Sequence, residues 1–253
     1  MSSDQAPAAR RRAKRALERQ LDYIRAKTER LNAKADTLIP ELTERSLALR
    51  KRLEAIRPFG PDVKLLEVGS GVTGHVFFFG AENGVGVDPL ADAFRPHFPW
   101  HRGVRTVAAG GENLPFADGA FDIVMSDNVV DHAEDPARIA AEMVRVLAPG
   151  GLLYFTVNVH HPFYAAAAGA HAVWQSLGLP GEIGPFADHT VHLTPSAAGR
   201  LFAGQPLRTV SEGADIDAAK REGRTLKPRH AGDLFKRIFY KNAVYELVAV
   251  KEG

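Results

Sequence analysis

Residues 64–74 read Lys64-Leu-Leu-Glu-Val-Gly-Ser-Gly-Val-Thr-Gly74, and the chain continues to Gly84-Val-Gly-Val-Asp88. A short apolar run thus enters a glycine-rich turn, and a second apolar run ends on a carboxylate 19 residues after Gly69. This spacing is typical of a nucleotide-binding βαβ unit, because glycines let the backbone turn near a ligand and the later carboxylate can accept both ribose hydroxyls. The segment predicts an α/β fold that binds an adenosine-containing cofactor.

Strand-like and helix-like segments alternate along the rest of the chain. Apolar runs predict strands near residues 63–68, 84–87, 104–109, 121–126, 151–157, 207–213 and 242–251. Helices are predicted near residues 72–80, 89–96, 129–133 and 136–147, and from the N-cap Thr194 to Ala203. Pro149-Gly-Gly151 is expected to stop the helix before it and to turn the chain into the next strand. This alternation predicts a doubly wound, parallel, Rossmann-like sheet with ligand at the carboxyl ends of its strands.

Residues 1–57 are predicted to form a helical extension that precedes a catalytic domain over residues 58–253. Apolar positions from Leu17 to Leu38 follow a 4,3 spacing, which predicts a long amphipathic helix that ends at Pro40. A second helix then places Leu42, Leu49, Leu53 and Ile56 on one face. The extension could pack on the catalytic domain or form a homodimer through its helices.

Charge is distributed unevenly along the chain. Residues 1–57 carry 15 Lys and Arg against 8 Asp and Glu, residues 58–219 carry 8 against 18, and residues 220–253 carry 9 against 4. Basic ends can attract phosphate-bearing or other anionic partners, although Lys-rich and Arg-rich helix faces are usually just solvated. We therefore do not expect nucleic acid as a partner, and an anionic small-molecule acceptor stays open.

Composition excludes several classes of protein. The 253 residues include no Cys, which excludes a disulfide framework and a thiolate metal site. No apolar run reaches the length of a membrane span, and the N-terminus lacks the apolar core of a signal peptide. A cytoplasmic protein is expected.

Two further stretches carry a resemblance to a known family. They read Glu112-Asn-Leu-Pro-Phe-Ala-Asp-Gly-Ala-Phe-Asp-Ile-Val-Met-Ser-Asp-Asn128 and Val146-Leu-Ala-Pro-Gly-Gly-Leu-Leu-Tyr-Phe155. Together with the glycine turn and Asp88, the region from about residue 62 to 156 resembles the class I S-adenosylmethionine-dependent methyltransferases, in their broad small-molecule branch. The resemblance implies a seven-stranded sheet with an antiparallel last strand. It also implies S-adenosylmethionine as the cofactor and a small or medium-sized methyl acceptor, with O-methylation favoured.

The resemblance also implies which residues bind the cofactor. The glycine turn would pass along the methionine part, Asp88 would hold the ribose, and the residues after the third strand would contact adenine. Glu67 would lie near the cofactor's amino group, and residues after the fourth strand would face the methionine part and the acceptor. The full implied set is Glu67, Gly69, Ser70, Gly71, Asp88, Pro89, Leu90, Gly111, Glu112, Asn113, Asp127 and Asn128.

Histidine is the natural base for a hydroxyl acceptor. His132 matches a position that is often His in this branch, and His160 and His161 directly follow the fifth strand, so these three are the candidate catalytic residues. His189 and His192 stand three residues apart without a matched carboxylate, and no metal site is predicted from them. Residues 159–192 and 217–241 are predicted insertions that shape the acceptor pocket.

Two alternative functions follow from other features. The third glycine of the turn, Gly74, gives the spacing Gly-x-Gly-x-x-Gly of dehydrogenases, which would suit an NAD(P)-dependent oxidoreductase. A Tyr-x-x-x-Lys pair of the short-chain reductase type occurs at Tyr23 and Lys27, but it precedes the glycine turn instead of following it. The other alternative is a non-catalytic scaffold of the same fold that acts through its N-terminal helix.

Overall fold

The computed structural model of the chain describes residues 24–133, 135–163, 166, 193–225, 240 and 242–253, without the side chain of His132. Its strands are β1 (Lys64–Val68), β2 (Asn83–Val87), β3 (Arg105–Val107), β4 (Phe121–Asp127), β5 (Leu147–Val159), β6 (Leu207–Ala214) and β7 (Ala243–Lys251). They form a seven-stranded sheet in the order β3-β2-β1-β4-β5-β7-β6. Strands β1 to β5 are parallel, and β7 is antiparallel to both of its neighbours. The predicted Rossmann-like sheet with an antiparallel last strand is confirmed.

The helices are α1, of which residues 24–32 are described, α2 (Ala35–Glu54), α3 (Ala91–Phe94), α4 (Pro136–Val146), α5 (Pro195–Arg200) and α6 (Ile216–Thr225). Helix α4 begins where predicted, because Asp135 accepts the backbone N–H of Arg138 at 3.0 Å. Thr194 caps α5 in the same way, as predicted, and α5 ends three residues before the expected Ala203.

The α-helix predicted over residues 72–80 is absent, and a single 3₁₀ turn over His75–Phe77 takes its place. The Glu67 carboxylate accepts the N–H groups of His75 and Val76, which fixes only this first turn. Gly80 then adopts a φ of 72°, which a continuing helix does not allow. The helix predicted over residues 129–133 is likewise a 3₁₀ turn, over Val130–His132.

Helix α2 contradicts the prediction that Pro40 ends a helix, because it runs through Pro40. The helical conformation is instead interrupted by a turn at residues 33–34, between α1 and α2. Pro40 and Asp36 are both exposed, so water can reach the Asp36 carbonyl that loses its helical hydrogen bond. The proline therefore costs the helix less than it would in a buried position.

Strand β5 begins earlier than predicted. Pro149-Gly-Gly151 was expected to turn the chain from helix to strand, but β5 starts at Leu147, directly after α4. Leu147 pairs with Phe121, and the register shifts before Ile123 pairs with Leu152. The proline and glycines therefore lie in an irregular first part of β5, where the register shift accommodates them.

The core lies on both faces of the sheet, because successive strand residues point to opposite sides. Leu66 and Val124 face one side, where they pack with Met143 of α4. Leu65 and Ile123 face the other side, where they pack with residues of α2. These are Leu49 and Leu53, two of the apolar residues predicted to share one helix face, and both are buried.

The N-terminal segment therefore packs closely on the predicted catalytic domain. Ile24 of α1 is also buried, against Val72, Phe94 and Phe98. Whether residue 57 marks a domain boundary stays a prediction, as does dimer formation through these helices.

Several predicted features fall outside the described residues. These include most of the proposed insertions at 159–192 and 217–241, and the histidines His189 and His192. Within the part that the structure describes, no helix is both long enough and apolar enough to cross a membrane.

Candidate cofactor and acceptor site

The glycine loop between β1 and β2 is closed on one side and open on the other. Gly69 and Gly71 have φ angles of 77° and 50°, which disfavour residues with side chains. A Cβ on Gly69 would also collide with Val129. At Gly71, by contrast, the nearest group to an added Cβ is Asp88 Oδ2 at 3.9 Å. The loop thus leaves room for a ligand on the side that faces Asp88.

Asp88 joins the end of β2 to this loop. Its Oδ2 accepts the N–H of Gly71 at 3.1 Å, and its Oδ1 accepts the N–H of Leu90 at 2.8 Å. Asp88 and Leu90 are half-buried and Pro89 is exposed. Each carboxylate oxygen keeps a second lone pair, so Asp88 can still accept a pair of ribose hydroxyls. The open loop and this carboxylate fit the ribose of S-adenosylmethionine.

Two aromatic side chains that the sequence did not indicate hold the loop from outside. Trp100 Nε1 donates to the Val72 carbonyl at 2.7 Å, and His101 Nε2 lies 3.0 Å from the same oxygen. Burial lowers the pKa of His101, which favours the neutral ring, and the contact with a carbonyl oxygen, which can only accept, places the ring proton on Nε2. The Phe77 ring stacks on His101 with centroids 3.9 Å apart. Packing of this kind fixes the loop before any ligand arrives.

The residues predicted to contact adenine follow β3. Gly111 is tightly enclosed, since a Cβ there would come within 2.9 Å of Val68 and 3.1 Å of Ile139. Glu112 is half-buried and Asn113 is exposed. These positions leave both side chains accessible to a ligand, and their contact with adenine stays a prediction.

The end of β4 carries a strained residue. Asn128 has a φ of 59°, and it is the sole residue other than glycine with positive φ in the described chain. Its N–H donates to the Thr156 carbonyl at 3.0 Å, and its Oδ1 accepts the N–H of Asn158 at 2.8 Å. Such strain is held only when its surroundings fix it, and it is frequent at binding sites.

Asp127 lies at the centre of a polar cluster at the same strand end. Thr156 Oγ1 donates to its Oδ1 at 2.5 Å, Arg45 of α2 forms an ion pair with it, and His75 Nε2 lies 3.4 Å from its Oδ2. Burial alone would raise the pKa of Asp127, but the hydrogen bonds from His75 and Thr156 and the charge of Arg45 lower it to about 2. Asp127 is therefore ionised at neutral pH.

His75 connects this cluster to α2. Its ring is buried, with Nδ1 2.9 Å from Ser46 Oγ and Nε2 3.3 Å from Arg45 Nη2. His75, Arg45 and Ser46 were not predicted as site residues from the sequence. The position of His75 directly after the glycine turn could have indicated it, whereas Arg45 and Ser46 lie in a helix with no local sign of a site.

Glu67 has a structural role that the sequence did not show. Its two oxygens accept the N–H groups of His75 and Val76 at 3.1 and 2.7 Å, and burial raises its pKa to about 6. A Cβ on Gly74 would come within 2.6 Å of its Oε2. The dehydrogenase-like third glycine is therefore explained by this carboxylate, without a dinucleotide. Whether Glu67 also faces the cofactor's amino group stays a prediction.

The candidate bases are placed at neighbouring strand ends. His160 is buried directly after β5, and its backbone N–H donates to the Leu193 carbonyl at 2.8 Å. His161 is half-buried, and its ring meets that of Tyr240 edge-on at 5.4 Å. His132 ends the 3₁₀ turn after β4, and its side chain lies outside the described part. Catalytic roles for all three stay predictions.

Comparisons with known proteins agree with this geometry. Residues 66–155 match a family described as a methyltransferase domain. These residues form a class I S-adenosylmethionine-dependent methyltransferase domain. S-adenosylmethionine, predicted from the sequence, is confirmed as the cofactor that this family implies.

Individual relatives and solved structures also match the chain. An uncharacterised methyltransferase of Mycobacterium sp. (strain JLS) is 36% identical over 124 residues, which are 49% of this chain and 40% of that protein. The chain spans about half the length of the curated relatives it matches. A putative methyltransferase from Bacillus halodurans C-125 has a TM-score of 0.57 at 16% identity, covering 81% of this chain and 99% of that one. A geranyl diphosphate C-methyltransferase from Streptomyces coelicolor A3(2) has a TM-score of 0.57 at 16% identity, covering 81% and 78%. At these identities the two structures show a shared fold.

Proposed function

We propose that the chain transfers the methyl group of S-adenosylmethionine to a small or medium-sized acceptor, with O-methylation favoured. The observation that supports this most is the open face of the glycine loop at Gly71, bordered by the Asp88 carboxylate. The cofactor supplies the electrophilic methyl group when it is bound. The protein then has to align a nucleophile with it and to exclude water.

The preference for oxygen follows from the available bases. A hydroxyl of high pKa must lose a proton to react well, and a base with a pKa near neutrality serves best. Asp127 is too weak a base, since its pKa lies at about 2, and both oxygens of Glu67 accept backbone N–H groups. His132, His160 and His161 are thus the candidate bases in our proposal.

An anionic acceptor fits the basic character of the chain ends, although much of the segment from 220 to 241 is outside the described residues. The geranyl diphosphate enzyme shares the fold alone with this chain, so its substrate is not carried over. A non-catalytic scaffold is the alternative that the experiment must separate.

The test combines binding and transfer with the purified full chain. Calorimetry should show binding of S-adenosylhomocysteine and no binding of NADPH. Labelled S-adenosylmethionine, incubated with panels of alcohols, phenols, carboxylic acids and amines, should label oxygen acceptors. Transfer to nitrogen or carbon acceptors alone would overturn the preference for oxygen. Cofactor binding with no transfer to any panel would favour the scaffold.

The role of the histidines is tested with the acceptor that this screen finds. Replacing the responsible histidine with Ala should lower turnover by roughly 10²–10⁴-fold and leave cofactor affinity unchanged. If His132→Ala, His160→Ala and His161→Ala all keep near-normal rates at neutral pH, the reaction proceeds by proximity alone.

A further inference from the structure

The ion pair between Arg45 and Asp127 joins distant parts of the chain at the carboxyl end of β4. Arg45 comes from α2, 82 residues before Asp127, and it is placed there because Leu49 and Leu53 of the same helix are buried in the core. The Arg45 side chain is 56% exposed and that of Asp127 is 19% exposed. A ligand at this strand end can therefore reach both groups.

The sheet order indicates which part of the cofactor would lie there. Neighbouring strands run β3-β2-β1-β4, and ligands of such sheets bind outside the carboxyl ends of the strands. In our proposal the ribose lies at Asp88 after β2 and adenine lies near the loop after β3. The rest of the cofactor must then extend in the opposite direction along the sheet edge, towards β1 and β4. It crosses the glycine loop after β1 and reaches the end of β4. The amino-acid end of S-adenosylmethionine would therefore arrive at Arg45 and Asp127.

That end of the cofactor is a zwitterion, with an ammonium group and a carboxylate on one carbon atom. An ammonium group needs anionic acceptors, and Asp127 is ionised at neutral pH. A carboxylate is matched by a guanidinium, which is always charged and carries several N–H donors. The contacts of Arg45 within the described chain use only its Nη2, so Nε and Nη1 are available to a ligand.

We propose, on the basis of the methyltransferase function proposed above, that Arg45 binds the carboxylate of the cofactor's amino-acid end and that Asp127 binds its ammonium group. His75 holds the two side chains in position, because its Nε2 lies 3.3 Å from Arg45 Nη2 and 3.4 Å from Asp127 Oδ2. Helix α2 is then a wall of the cofactor site, and the cofactor cannot be fully bound without it.

The test uses calorimetry on the full chain with three ligands. S-adenosylhomocysteine carries the whole amino-acid end, its decarboxylated analogue keeps only the amine, and 5′-methylthioadenosine lacks both charged groups. The wild-type chain should bind S-adenosylhomocysteine roughly 10–100-fold more tightly than the decarboxylated analogue, as expected for a hydrogen-bonded charge pair. Arg45→Ala should lose this difference and keep its affinity for 5′-methylthioadenosine within about twofold.

Two further variants sharpen the result. Asp127→Asn should weaken S-adenosylhomocysteine and the decarboxylated analogue alike, because both carry the ammonium group, and should spare 5′-methylthioadenosine. Arg52→Ala is the matched control, since Arg52 lies on the same helix and pairs with Glu246 at 2.7 Å, and it should leave all three affinities unchanged.

The outcomes separate this proposal from the broader one. Arg45→Ala with unchanged discrimination, or with equal losses for all three ligands, would overturn the role of Arg45. A wild-type chain that binds 5′-methylthioadenosine but does not distinguish S-adenosylhomocysteine from its decarboxylated analogue would also overturn the role of Arg45. That result would leave the proposed cofactor class unaffected. A wild-type chain that binds none of the three would overturn the proposed function itself.

Discussion

The two halves of the candidate cofactor site are built in different ways. At the end of β2, Asp88 is held by the backbone N–H groups of Gly71 and Leu90, both within 17 residues of it. At the end of β4, Asp127 is held by side chains, including Arg45, which lies 82 positions earlier in the chain. The first half is local and uses the backbone, whereas the second is long-range and uses side chains.

This difference predicts how each half responds to change. The β2 half needs only the glycine loop and its neighbouring strands, so its geometry survives most side-chain substitutions around it. The β4 half depends on the docking of α2, whose buried leucines place Arg45 and Ser46 beside His75. Substitutions in the β4 half should therefore affect stability and binding together, and those in the β2 half should affect binding with a smaller loss of stability.

The largest effect is expected from His75→Ala. The buried ring contacts Ser46, Arg45 and Asp127, so its loss leaves a cavity and unpaired polar groups, and should lower the free energy of unfolding by about 2–4 kcal/mol. Urea denaturation followed by circular dichroism measures this change. His97→Ala, at an exposed histidine, should change stability by less than about 0.5 kcal/mol. Equal effects of the two substitutions would remove His75 from the link between α2 and β4.

Asp88→Ala should show the opposite balance. Loss of two acceptors for the ribose should weaken binding of S-adenosylhomocysteine by about 1–3 kcal/mol. We expect a smaller loss of stability than for His75→Ala, since Asp88 is half-buried and the loop is also held at Val72. Calorimetry and urea denaturation on the same preparation give both numbers. Unchanged affinity in a folded variant would exclude Asp88 from the site.

The raised pKa of Glu67 predicts that the stability of the protein depends on pH. Burial raises the pKa of its carboxyl from 4.5 to about 6, so the folded chain keeps a proton that the unfolded chain has lost between these values. The contribution of Glu67 is therefore complete below about pH 4.5 and falls by about 2 kcal/mol as the pH rises through 6. Glu67→Gln removes this titration. The difference in unfolding free energy between the two proteins should change up to about pH 7 and then stay constant.

The measurement is urea denaturation of both proteins at a series of pH values from about 4.5 to 8. A difference that does not vary with pH would show that the Glu67 carboxyl does not titrate in this range.

The smallest effect is expected from Trp100→Phe. The substitution removes one of the two donors to the Val72 carbonyl and keeps the aromatic packing against Phe98. Stability should fall by about 1 kcal/mol, because His101 still donates to the same oxygen. Affinity for S-adenosylhomocysteine should fall by less than for Asp88→Ala. A variant with wild-type stability would show that His101 alone holds the loop.

Much of the fold followed from local patterns. The apolar runs predicted the strands to within a few residues, apart from the early start of β5, and the chain order of β1, the glycine turn and β2 placed Asp88 on the loop. Two expectations failed because the structural surroundings of the residues outweighed the local signal. Two backbone hydrogen bonds to Glu67 fixed a 3₁₀ turn where a helix was predicted, and exposure of Asp36 allowed Pro40 inside α2.

The sequence by itself determined the sheet and the cofactor class, and it placed Asp88 beside the glycine turn. Glycine conformation, apolar periodicity and the short span from Gly69 to Asp88 act over a few residues, and their effect does not depend on the rest of the chain. Only the tertiary structure decided that Arg45 and Ser46 meet His75 and Asp127. That meeting depends on the burial of α2 against one face of the sheet, which is the sum of many contacts between distant residues, and no local pattern encodes it.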